Sequence, residues 1–187
     1  ENARNRFEKK LILQFSIVGL FLLTVLLPYS SKAGSKISIA SGNWENPAIW
    51  NPSGVPTSGD NVSIGNLTNV TTTGNTSIQN LSVFTGGQLT LGQGTRITIG
   101  GNISVDGRFN MNKGMITISS TGRTFKISST GTFIWDPSIN TSAEATLFTN
   151  CLESFDASST LIIKNWYNYT IPLAENINGN FGNVEIN

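Results

Sequence analysis

Apolar and polar side chains alternate in short bursts between residues 61 and 135, and the bursts return at a near-constant interval. Asn61-Val62-Ser63-Ile64, Asn80-Leu81-Ser82-Val83, Asn102-Ile103-Ser104-Val105 and Thr124-Phe125-Lys126-Ile127 follow one another at spacings of 19, 22 and 22 residues. Asn183-Val184-Glu185-Ile186 has the same form, and Thr160-Leu161-Ile162-Ile163 is read as the copy that fills the gap before it. A second series runs Leu89/Leu91, Phe109/Met111 and Phe133/Trp135, and a third pairs Ile97/Ile99 with Ile116/Ile118. Successive side chains of a strand point to opposite faces, so Leu81 and Val83 are expected inside and Ser82 in water. Three short strands per period of about 22 residues predict a β-solenoid in which each coil stacks on the one before.

Glycine or asparagine marks the corners between these strands, as at Gly86-Gly87, Gly100-Gly101 and Asp106-Gly107. Sharp corners often need a positive φ, which Gly accepts and Asn tolerates. Parallel strands joined by crossovers are overwhelmingly right-handed. The predicted fold is therefore all-β, a right-handed, single-stranded parallel β-helix. A β-sandwich is the alternative, since it also shows short strands with frequent turn signals, but it gives no reason for similar strings to return near 22 residues. The Asn that opens the first three strings falls at one corner of successive coils. Stacked Asn side chains are expected to hydrogen-bond along the stack, about 4.8 Å apart. That explains the Asn-x-Ser pattern at Asn61, Asn80 and Asn102 without N-linked sugar.

Two further segments precede the repeat. Residues 1–33 begin with Arg4, Arg6, Lys9 and Lys10, continue through the apolar run Leu11–Leu27, and end at Pro28 and Ser31-Lys32-Ala33. Basic, apolar and small-residue regions in that order read as a secretory signal peptide cleaved after Ala33. The alternative, an uncleaved anchor, would have to span with a run of 17 residues that contains Gln14, Ser16 and Thr24, where about 20 apolar residues are needed. Residues 34–60 are assigned to an N-terminal strand followed by a cap segment; within them, 41–60 carry three prolines and three glycines, which preclude a regular helix or central strand there. This stretch is read as an N-terminal cap, with Trp44 and Trp50 laid over the core of the first coil. Residues 61–187 are assigned to the coils, with an irregular insertion near 136–160. The closing Asn183-Val184-Glu185-Ile186 string predicts that coils continue past residue 187.

Composition sharpens this picture. Ser, Thr, Asn and Gly number 21, 21, 22 and 19, or 83 of 187 residues, as a stack of polar-faced coils with tight corners requires. The net charge of +1 comes from the leader: residues 1–33 hold five basic and two acidic side chains, so the remainder has 7 basic and 9 acidic residues. That balance excludes a basic nucleic-acid binder. No His and a single Cys exclude an internal disulfide, a His/Cys zinc site and Ser-His or Cys-His catalysis.

Little else points to chemistry, and no catalytic residue, metal ligand or cofactor is assigned. Asp60 and Asp106 are read as turn formers, and Arg96, Arg108, Arg123 and Lys126 as solvated corners. Glu144, Glu153 and Asp156 are placed in a solvated loop, and Cys151 is taken as a small buried residue. Trp44 and Trp50 carry one alternative, a carbohydrate-binding module in which they stack on a sugar ring.

Gly42-x-Trp44, Trp50, Gly54-x-Pro56 and Gly59-Asp60-x-Val62-x-Ile64, followed by Gly-punctuated strand pairs, resemble the start of large secreted β-helix proteins. The likeness is greatest to the surface and adhesin-like proteins of Bacteroidetes, and the extracellular eight-glycine domain shares the Trp-Trp-Pro-Gly-Asp order. The resemblance implies export to the cell surface or medium. It also implies a long, surface-attached or released chain; with the repeat and the lack of a catalytic set, the expectation is a structural or adhesin-like region, with glycans or other cell-surface proteins as partners and no catalysis in this segment. The alternative it leaves is the N-terminal part of a polysaccharide-active β-helix enzyme.

Overall fold

The computed structural model describes residues 33–136, 151–164 and 182–186, and positions given below are among these. Three short strands open the described chain: β1 (Ser35–Ser38), β2 (Gly42–Asn43) and β3 (Trp50–Asn51). Three full coils follow. They are β4 (Asn61–Ile64), β5 (Asn69–Thr71) and β6 (Thr76–Ile78); β7 (Asn80–Val83), β8 (Gln88–Thr90) and β9 (Arg96–Ile99); and β10 (Ile103–Val105), β11 (Arg108–Asn110) and β12 (Met115–Ile118). Later coils contribute β13 (Arg123–Ile127), β14 (Thr132–Trp135), β15 (Cys151–Phe155), β16 (Thr160–Ile163) and β17 (Asn183–Ile186).

These strands stack into three sheets. Sheet A runs β3-β1-β4-β7-β10-β13-β15, sheet B runs β2-β5-β8-β11-β14-β16-β17, and sheet C runs β6-β9-β12. Neighbours within each sheet are parallel, apart from the antiparallel pair β1–β3 at the edge of sheet A. The fold is an all-β parallel β-solenoid of about six turns with about 22 residues per turn. Pairing of each strand with its counterpart one coil away is incompatible with the β-sandwich alternative.

Strict register turns the sequence series into columns. In sheet A, Val62, Leu81, Ile103 and Phe125 pair in succession, as do Ile64, Val83, Val105 and Ile127. All eight are buried. Leu89, Phe109 and Phe133 form the matching column of sheet B, and Ile97/Ile99 stack under Ile116/Ile118 in sheet C. Later coils fill the same interior with larger rings: Phe125 meets Phe133 edge-on at 5.0 Å and Phe155 at 5.5 Å. Apolar burial of this kind is the main term holding a stack together, at about 1.5–3 kcal/mol for each fully buried large side chain.

Two strand assignments differ from the sequence reading. Asn183–Ile186 and Thr160–Ile163 both belong to sheet B, where they pair with each other, rather than to the sheet that opens each coil. The sheet-A strand of that coil is Cys151–Phe155, inside the stretch expected to be irregular, and it pairs residue for residue with Arg123–Ile127. Its inward positions are Cys151, Glu153 and Phe155, and a carboxylate in the middle hid the apolar alternation. The rest of the expected insertion, residues 137–150, lies outside the described residues, as do residues 1–32 of the expected signal peptide.

Candidate functional site

Trp44 and Trp50 have no ring face open to a sugar. Both are essentially fully buried, their rings meet at 4.9 Å in an edge arrangement, and Trp50 Nε1 donates to the Trp44 carbonyl at 2.8 Å. The segment between them is fixed locally. Asn46 accepts from the Ala48 N–H at 3.0 Å and starts a short 3₁₀ turn, Pro47–Ile49, which leads into β3. The two indoles fill the interior of the first turn, and stacking on a ligand is ruled out by their burial.

Several acidic side chains are committed to backbone groups. Asp60 accepts from Gly34 N at 3.0 Å, Thr57 N at 2.8 Å and Thr57 Oγ1 at 2.9 Å. Burial pushes its carboxyl up, but these bonds and the charge of Lys36 outweigh burial and hold it below the usual carboxylate range. Glu45 reaches the next coil, where it accepts from Thr73 N, Thr73 Oγ1 and Gly74 N. Burial raises it, and the bonds from Thr73 and Gly74 bring it below its ordinary value. Asp156 accepts from Ser158 N at 2.9 Å.

Glu153 is not in a solvated loop. Only 8% exposed, it continues the column of Val62, Leu81, Ile103 and Phe125, and neither carboxylate oxygen has a hydrogen-bond partner. Burial pushes it up to about 7. Cys151 beside it is raised to about 11, by burial first and then by the charge of Glu153. Glu144 lies outside the described residues.

The place where the surface departs from its own repeat is the corner between sheets A and B. Four residues bridge β4 to β5, β7 to β8, β13 to β14 and β15 to β16. Each of these bridges closes a turn: Thr68 N to Gly65 O, Gly87 N to Phe84 O, Gly131 N to Ser128 O and Ser159 N to Asp156 O. Only two, Asp106 and Gly107, connect β10 to β11. Both of their N–H groups bond the Val83 carbonyl, at 2.8 and 2.9 Å, and hold the short corner down against the coil below. A Cβ on Gly107 would stand 2.3 Å from the carbonyl oxygens of both Gly87 and Phe84, so glycine is required there.

The missing two residues leave a notch. Thr85 and Gly86 form one wall, Thr130 forms the other, and Asp106 and Gly107 make the floor. Its volume is about 210 Å³. Gln88, Arg108 and Thr132 stand in direct register across its sheet-B side, and Thr130 Oγ1 bonds the Asp106 carbonyl at 2.7 Å. The notch thus combines a carboxylate, a guanidinium, the amides of Asn69 and Gln88 and three threonine hydroxyls. Asp106 and Arg108, read from sequence as separate turn and corner residues, are brought to one site.

A family model described as a domain of unknown function (DUF8693) matches residues 37–132. The chain belongs to that family. The matched segment runs from within β1 to the start of β14, so the DUF8693 region of this chain holds the buried tryptophans, the three complete coils and the whole notch. No curated protein and no solved structure matches the chain significantly.

Proposed function

We propose that this member of the DUF8693 family is an exported, structural or adhesin-like β-solenoid region of a larger cell-surface or secreted protein, with no catalysis in this segment. The reading rests on one juxtaposition. A leader of signal-peptide form stands before a stack of coils whose outward positions are mostly Ser, Thr, Asn and Gln, with a few basic side chains such as Arg108 and Lys126 among them. The resemblance of Gly42-x-Trp44, Trp50 and Gly59-Asp60 to the opening of Bacteroidetes surface proteins supports the same location. A parallel stack suits this role because it is lengthened by adding coils, each held mainly by its two neighbours. The carboxylates of Glu45, Asp60 and Asp156 are spent on backbone N–H groups of turns, which fits a scaffold better than an acid/base pair.

Surface labelling and protease treatment of intact cells, followed by fractionation, test the location. The coil region is expected at the outer surface or in the medium, with a mature N-terminus at Gly34. Protein held in the cytoplasm with residues 1–33 intact would overturn the proposal.

A further inference from the structure

We infer that the notch at Asp106 and Arg108 is a binding site for one pyranose unit of a neutral glycan; the inference builds on the surface location proposed above. Its shape comes from the repeat itself. Turns of four residues project on both sides, and the two-residue corner between them leaves an opening whose floor Gly107 keeps clear. Its volume of about 210 Å³ falls below the range of about 300–1,000 Å³ usual for drug-sized ligands. It accommodates a single small ring and leaves the remainder of a chain outside.

The lining chemistry selects the ligand class. Sugar hydroxyls need acceptors and donors side by side. The Asp106 carboxylate accepts, the Arg108 guanidinium donates, Gln88 and Thr132 do both, and Thr130, whose hydrogen goes to the Asp106 carbonyl, accepts. Hydrogen bonds that involve an ionised partner are the stronger kind. An acidic sugar or phosphate would meet the Asp106 carboxylate, which disfavours it. A peptide would find no apolar side chain to pack on, because the lining is polar or glycine throughout. Asn69, Gln88, Arg108 and Thr132 continue as one outward row across sheet B, in register from coil to coil. A glycan seated in the notch therefore has polar groups to follow along the stack.

The test uses the full chain on an array of oligosaccharides ending in neutral hexoses and N-acetylhexosamines, with acidic glycans alongside. Affinities are then measured by titration with the best-bound neutral oligosaccharide. Arg108→Ala and Asp106→Asn are each expected to weaken binding about tenfold or more. Insertion of Thr-Gly after Asp106, which restores the four-residue corner, is expected to abolish it. Lys126→Ala, on the outward face of sheet A, is expected to bind as the parent does. Thermal unfolding of each variant separates a filled notch from a misfolded coil. The inference fails if no neutral glycan binds, if acidic glycans alone bind, or if binding ignores both Arg108→Ala and the insertion. Surface-exposed protein that binds nothing would overturn the inference and leave the proposed location standing; glycan binding by a protein retained inside the cell would do the reverse.

Discussion

The hydroxyls of Thr72 and Thr95 meet at 2.8 Å in a buried corner between coils. They belong to a closed ring of hydrogen bonds. Gly92 N donates to Thr72 Oγ1 at 2.9 Å, and Thr95 Oγ1 donates to the Gly92 carbonyl at 2.8 Å. The hydrogen between the two hydroxyls therefore comes from Thr72. The same ring recurs at another corner: Gly65 N donates to Ser38 Oγ, Thr68 Oγ1 donates to the Gly65 carbonyl, and Ser38 and Thr68 meet at 2.6 Å. At both corners a Cβ on the glycine would lie 2.3 Å from a carbonyl oxygen of the previous coil. Here the glycine serves close approach, and the hydroxyls satisfy backbone groups that the turning chain removes from the sheet ladder.

Replacing Thr95 with Val keeps the shape and removes the hydroxyl, which leaves the Thr72 hydrogen and the Gly92 carbonyl short of a partner in a buried site. Thr95→Val is expected to cost about 1–3 kcal/mol. Thr98→Val, on the outward face of β9 just after this corner, should stay within about 0.5 kcal/mol of the parent. Denaturant midpoints of the two variants make the comparison. Equal costs would show that the ring contributes nothing beyond packing.

Asparagines at the coil-opening corner work in a related way, and not as a plain side-chain ladder. Asn80 Nδ2 donates to Asn61 Oδ1 at 2.5 Å, but Asn80 Oδ1 accepts from the Asn102 N–H at 2.6 Å, and Asn102 Oδ1 accepts from the Thr124 N–H at 3.0 Å. Asn80 and Asn102 each cap the coil above, so Asn102→Ala is expected to cost about 0.5–2 kcal/mol, the range of a lost helix cap. Asn102→Asp keeps the acceptor and should recover most of that. Amide hydrogen exchange at Thr124 reads the bond directly: it should speed up in Asn102→Ala and stay near the parent rate in Asn102→Asp. Unchanged exchange in the alanine variant would contradict the capping role.

The repeat strings were readable because inward positions hold little besides Val, Ile, Leu and Phe, so Val62, Leu81 and Ile103 announce one column. Legibility failed where chemistry broke that rule. Cys151-Leu152-Glu153-Ser154-Phe155 carries apolar, acidic and small side chains without a clean alternation, although its register with Arg123–Ile127 is continuous. Asn183–Ile186 has the sequence form of a coil-opening strand, yet it pairs in sheet B, since four residues do not encode which sheet they join. Two tryptophans six residues apart suit a cap and a sugar platform alike in the sequence, and it is their burial in the fold that separates the two. The notch was hardest to see, because it is made by residues that are missing. Its trace is a count: Val105 is followed by Arg108 after two residues, whereas Val83 is followed by Gln88 after four.

Glu153 gives the stack an unusual pH dependence. Burial raises its carboxyl to about 7 from an ordinary value of 4.5, so between those values the folded chain holds a proton that the unfolded chain has released. Stability then falls as pH rises from the unfolded value through about 7. Asp60 and Glu45 act in the opposite sense. Their lowered values give stability that is present above 3.8 and 4.5, respectively, and lost as pH falls. Thermal unfolding followed from acid to alkaline pH should therefore peak on the mildly acid side of neutrality. Glu153→Leu, which continues the apolar column of Leu81, Ile103 and Phe125, is expected to gain about 1–3 kcal/mol at pH 8. It should also remove the decline toward neutral pH. Asp60→Asn should weaken the acid-side loss and leave the neutral-side decline in place. A Glu153→Leu variant that kept the parent's decline between pH 4.5 and 7 would show that another group carries it.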